Sequence, residues 1–104
     1  MGTSKSELFT SNQNELAQIT KALGHPARIA ILEYLFRTRS CVCGDLVSEI
    51  GLAQPTISQH LKELKRIGII KGTVEGARTC YCIDDEKSRY IQNKIQSFLT
   101  EPTL

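Results

Sequence analysis

Apolar positions recur along the chain in short stripes, and the period of each stripe indicates an element. From Glu7 to about Ala22, Leu16, Ile19 and Leu23 fall at helical spacing and predict a first helix. Leu23-Gly24-His25-Pro26 breaks it, because Gly24 suits a C-terminal cap and Pro26 suits the first position of a following helix. His25 sits at that helix start, where capping or packing is expected ahead of metal binding. The second helix, about 26–38, is apolar nearly all round through Ile29, Ala30, Ile31, Leu32, Tyr34, Leu35 and Phe36. Such a helix belongs in the centre of a domain. Arg37 to Ser40 ends it, and Ser40-Cys41-Val42-Cys43 predicts a short strand. Gly44 to Ile50 predicts a short helix with Asp45 in the first turn and one apolar face of Leu46, Val47 and Ile50.

Gly51 ends that helix, Leu52-Ala53 makes a tight turn, and Gln54-Pro55 opens the next. The helix over 55–67 has the clearest pattern, with Ile57, Leu61, Leu64 and Ile67 on one stripe. Its other positions are polar: Thr56, Ser58, Gln59, His60, Lys62, Glu63, Lys65 and Arg66. Gly68 terminates it. Ile69 to Val74 and Arg78 to Ile83 read as two strands joined through Glu75-Gly76-Ala77. Asp84 or Asp85 caps a final helix running to about Thr100, striped by Ile91, Ile95, Phe98 and Leu99. Residues 1–6 read as a loose end.

Helix, helix, strand, helix, helix, two strands, helix is the order of a winged helix-turn-helix: mainly α, with a β-hairpin wing. The whole of 1–104 is then one domain, with the helix-turn-helix at 44–67 and the wing at 69–83. The physics suits DNA, since an α-helix about 10–12 Å across fits a major groove about 12 Å wide. Gln54, Pro55, Thr56, Ser58, Gln59 and His60 would lie on the exposed N-terminal half that meets base edges. Lys62, Lys65 and Arg66, with Lys71 and Arg78 on the wing, would contact phosphates. The competing reading is a merely solvated face, and the tight turn before the helix and the wing after it weigh against that.

Length and composition narrow the classes further. The chain has 104 residues, 40% hydrophobic and 23% charged, which suffices for one core. Its net charge is only +2, but from Lys62 to Arg78 five basic residues face two acids, so the positive excess is local. The longest apolar run, Ile29 to Leu32, is too short to span a bilayer, and the first residues lack the apolar core of a signal peptide. A cytoplasmic protein without membrane contact is expected. There is no nucleophile–base pair and no phosphate loop, so no enzyme is expected.

The four cysteines form two Cys-x-Cys pairs, Cys41/Cys43 and Cys80/Cys82. In a cytosol they are expected to be reduced, so disulfides are not the default reading. Residues two apart on a strand share a face. If the strand at 40–43 pairs with the last wing strand, all four thiols gather in one patch. Such a patch could chelate a soft ion, hold an iron–sulfur cluster or oxidise to a cross-strand disulfide. Packing of cysteine as a small hydrophobe is the plain alternative.

Over nearly its whole length the chain resembles the ArsR/SmtB family of bacterial winged-helix repressors. The resemblance rests on Ala22-Leu23-Gly24-His25-Pro26-Ala27-Arg28-Ile29-Ala30-Ile31-Leu32, on Gly44-Asp45-Leu46, on the run from Gln54 to Leu64, and on Gly68-Ile69-Ile70. It implies a homodimer built on the first and last helices (7–22 and 84–100), a two-fold double-stranded operator, and release when an effector binds. Arsenic- and cadmium-sensing relatives carry Cys-Val-Cys-Asp-Leu leading into the short helix. Here Cys41-Val42-Cys43-Gly44-Asp45-Leu46 has an extra glycine. Other relatives bind zinc through Asp, His and Glu of the last helix, which here has no histidine. The cysteine patch is therefore the expected sensing centre, with As(III), Cd(II) or Zn(II) as thiophilic candidates. Two alternatives stand beside it: a DNA binder with structural cysteines, and a winged-helix protein-interaction module.

Overall fold

The computed structural model describes residues 5–100; Met1 to Ser4, most of the expected loose N-terminus, lie outside them. Lys5–Leu8 forms a single 3-10 turn, and helix α1 runs over Ser11–Leu23. It starts later than the periodicity predicts because Thr10 and Gln13 build a capping box: Thr10 Oγ1 accepts from the Gln13 amide, and Gln13 Oε1 accepts from the Thr10 amide. Helix α2 spans Pro26–Thr38. His25 caps it, its Nδ1 accepting from the Ala27 amide at 3.0 Å, as expected from its place in the sequence.

Helix α3 is Leu46–Ile50 and α4 is Gln54–Arg66. Between them Gly51 adopts φ 82° and returns its N–H to the Val47 carbonyl, so the chain reverses within three residues. Strands β1 (Ile70–Glu75) and β2 (Arg78–Ile83) form an antiparallel hairpin in the register Ile70↔Ile83 to Glu75↔Arg78. Helix α5 covers Asp85–Thr100, with Asp84 Oδ1 accepting from the Lys87 amide at its start.

Ile31 and Leu35 of α2, Ile57 and Leu64 of α4, and Ile70 of β1 are almost fully enclosed, with Ile19 and Ala22 of α1 and Ile91 of α5 closing the core. Burying each large aliphatic side chain stabilises by roughly 1.5–3 kcal/mol. The α4 stripe of Ile57, Leu61, Leu64 and Ile67 is buried throughout, as its spacing predicts. Helix α2 is central, yet not enclosed on every side: Ile29 and Phe36, seven residues apart, stay 43% and 41% exposed. The α5 stripe divides, with Ile91 buried and Phe98 and Leu99 exposed at 63% and 72%.

The third strand predicted at Ser40 to Cys43 does not form, and the sheet has two strands. Val42 alone bridges to Tyr81, the two residues exchanging both N–H···O bonds at 2.9 Å. The segment is too short for more. Arg39, at φ 59°, has just turned the chain out of α2, and by Gly44 it is bending toward α3.

Candidate nucleic-acid interface

Packing the α4 stripe inward leaves Gln54, Pro55, Thr56, Ser58, Gln59, Lys62 and Lys65 exposed, together with Lys71 and Arg78 on the wing. Gln54 Nε2 donates to Ser58 Oγ at 3.0 Å on that outer face. Gly72 of β1 stands opposite Tyr81, and a Cβ there would come within 3.7 Å of Lys65 Nζ on α4. Arg66 is engaged within the protomer, donating to Gln18 Oε1 of α1 at 2.7 Å and pairing with Glu63.

His60 departs from its expected place on the reading face: it is only 8% exposed. Three residues after Ile57 and four before Leu64, it lies on the flank of the apolar stripe. Its Nδ1 accepts from Arg28 Nε at 3.1 Å, and its ring packs against His25 with centroids 4.3 Å apart. Burial, and then the nearby charges of His25 and Arg28, hold the imidazole below its ordinary pKa of 6.5. Arg28 Nη1 also donates to the carbonyls of Lys21 and Ala22 at the end of α1. One guanidinium thus ties α1, α2 and α4 together, a role that its position in the sequence does not reveal.

At the other end of α1, Tyr90 of α5 donates to Glu15 at 2.9 Å and Lys94 pairs with the same carboxylate at 3.1 Å. The Lys94 hydrogen bond draws the Glu15 pKa down and, reciprocally, raises that of Lys94.

All four cysteines meet where the α2–α3 connection touches the wing. They are disulfide-bonded, Cys41 to Cys82 and Cys43 to Cys80, in place of the free thiols expected as the default. The cause is local. Around a bridge in which both hydrogen bonds are made, the flanking cross-strand positions are the close, non-hydrogen-bonded ones. Their Cα atoms stand 4.4 and 4.0 Å apart. On this face of the hairpin lie Lys71, Thr73 and Glu75 of β1, opposite Cys82, Cys80 and Arg78. The Glu75 carboxylate and the sulfurs of Cys43 and Cys80 all lie within 4.8 Å of one another. With the bond reduced, two thiolates and a carboxylate would suit a borderline or soft divalent cation such as Zn(II) or Cd(II). Cys43 also lines a cleft of about 310 Å³ whose walls include Gln54 and Ser58 of α4 and Arg78 of β2.

A short helix, a three-residue reversal, a polar-faced helix seated by a buried stripe and a hairpin beside it make a winged helix-turn-helix. Residues 25–71 match the family described as bacterial regulatory protein, arsR family. An uncharacterized HTH-type transcriptional regulator of Methanocaldococcus jannaschii is 43% identical over 76 residues, 72% of this chain and 84% of that one. A cadmium resistance transcriptional regulatory protein CadC homolog of Staphylococcus aureus is 34% identical over 91 residues, 86% of this chain and 74% of the relative. The structure of HlyU from Vibrio cholerae superposes with a TM-score of 0.68 at 26% identity, covering 88% of this chain and 98% of that one. The chain belongs to the ArsR family of transcriptional regulators. Among the described residues no helix is long and apolar enough to cross a membrane.

Proposed function

We propose that the chain is a homodimeric, cytoplasmic repressor without catalytic activity, which leaves its operator when the cysteine patch changes state. Gln54, Pro55, Thr56, Ser58 and Gln59 read base edges; Lys62, Lys65, Lys71 and Arg78 bind phosphates. Arg66, engaged with Gln18 and Glu63, contributes least among the basic residues of α4 and the wing. The signal is a thiophilic ion, with As(III), Cd(II) and Zn(II) as candidates, or oxidation of the thiols. The dimer uses α1 and α5. Asn12 and Glu15 meet Lys94 and Tyr90 respectively, so the two helices run antiparallel, and exposed Leu8, Phe9, Phe98 and Leu99 fall at one end.

The observation that carries the sensing role is the meeting of four sulfurs from 41–43 and 80–82 at the joint between the helix-turn-helix and the wing. Cys43 opens onto the cleft that Gln54, Ser58 and Arg78 share, so a change at the patch moves groups that face DNA. A coupling of the usual size, about 1–3 kcal/mol, changes operator affinity roughly 5–150-fold. Thiolates must lose protons to bind an ion, so ion affinity rises with pH.

Cys80→Ser and Cys82→Ser, assayed by fluorescence anisotropy on a duplex selected by the protein from a random pool, keep operator binding and lose its reversal. Reversal that survives in both variants removes the patch as the sensor. The affinity of the wild type also falls steeply with salt; a flat salt response would favour a protein-interaction module.

A further inference from the structure

The two cysteine pairs have the same cross-strand setting and opposite surroundings. Cys41 is exposed, and with Cys82 it borders a cleft of about 320 Å³ floored by Leu35, Phe36 and Ile83. Arg39 and Lys71 also line this cleft, against one acid, Asp85. Lys71 stands directly opposite Cys82 in the hairpin register. The inner pair is less open: Cys80 has no exposure, Cys43 is half-buried at the edge of the cleft it shares with α4, and both sulfurs lie within 4.8 Å of the Glu75 carboxylate. Beside them Thr73 Oγ1 is buried without a hydrogen-bond partner, so no hydroxyl bond relieves the enclosure.

We propose that Cys41–Cys82 is the pair that exchanges with small thiols, and that Arg39 and Lys71 select a thiol bearing a carboxylate. This rests on the reading of the patch as the sensing centre, and adds which pair answers and to what chemistry. The incoming thiolate RS⁻ attacks Cys41 Sγ, the exposed sulfur. The Cys41–Cys82 bond breaks, its electron pair leaves with Cys82 as a thiolate, and RS–S–Cys41 forms. A second RS⁻ attacks the sulfur of the R group, releasing RSSR and the Cys41 thiolate. Two thiols are oxidised to one disulfide while the protein pair takes up two electrons. Exchange runs faster when the leaving thiolate is stabilised, and Lys71 across from Cys82 supplies that charge. At the inner pair, attack on the more accessible Cys43 would leave a Cys80 thiolate with no solvent contact and the Glu75 carboxylate within 4.8 Å, both of which oppose it.

The test uses the full-length, disulfide-closed protein and three thiols of similar size: 3-mercaptopropionate, 2-mercaptoethanol and cysteamine. Acid quench, alkylation and peptide mass spectrometry locate the opened pair and the mixed disulfide. Rates are expressed per thiolate and normalised to a neutral small disulfide. Cys41–Cys82 opens first, with the mixed disulfide on Cys41. The carboxylate thiol outruns cysteamine by roughly three- to tenfold, the effect of one or two exposed charge contacts. Lys71→Gln shrinks that preference and Lys71→Arg retains it. Opening of Cys43–Cys80 first, or rates indifferent to thiol charge in the wild type, overturns the proposal. Because no DNA enters the assay, selective opening with unchanged operator affinity would count against the sensing role alone.

Discussion

Helix α4 and the wing root are fixed by different means. Helix α4 is seated by Ile57, Leu61 and Leu64 in the core and clamped from beneath by Arg28 through His60. The wing root is tied to the α2–α3 connection by one backbone bridge and two sulfur–sulfur bonds. Apolar packing and buried hydrogen bonds are indifferent to redox state and to soft ions, whereas paired thiols respond to both. The division suits a regulator: the α4 surface proposed to read DNA stays formed, while its neighbour carries bonds that solution chemistry can open.

The largest effect is expected from weakening the core beneath α4. Leu64→Ala, at a site with no solvent exposure, removes packing worth about 2–5 kcal/mol. Urea denaturation detects the loss, and operator binding falls alike in reduced and oxidised protein. A smaller effect is expected of Arg28→Ala, which strips one donor from His60 and two from the α1 carbonyls. It costs about 1–3 kcal/mol in the same experiment, with thiol reactivity unchanged. If either variant altered the cysteine chemistry as strongly as the stability, the two regions would not be independent.

His60 makes the seating of α4 depend on pH. Its folded pKa lies below the ordinary 6.5, so the unfolded chain takes up the proton first as pH falls. The stability it confers is complete above about pH 6.5 and is lost on acidification below that. The slope is at most about 1.4 kcal/mol per pH unit for one group. Denaturation midpoints between pH 5 and 8 measure it, and His60→Gln, which retains an acceptor for Arg28, flattens the curve. An unchanged slope in that variant would place the pH response elsewhere.

Where the sequence was legible, period did the work. The α4 stripe, the reversal at Gly51 and the hairpin around Gly76 each rest on a local rule, and each formed. His60 was misread because its neighbours Ser58 and Gln59 are exposed. Its spacing from Ile57 and Leu64 held the correct answer, but burying an imidazole requires a partner, and Arg28 is 32 residues away. The strand at 40–43 failed for want of length, although its residues suit a strand. Alternation placed the cysteines on one face, but their connectivity depends on which cross-strand positions lack hydrogen bonds, and that follows only from the Val42–Tyr81 bridge.

The most direct measurement follows thiol state and operator affinity on the same sample: a thiol titration read beside anisotropy, for reduced, oxidised and ion-loaded protein. Closing the cysteine pairs, by oxidation or by an ion, is expected to protect the thiols and change operator affinity at least about fivefold. Equal affinity in all three states, with the thiols converted as intended, would contradict it.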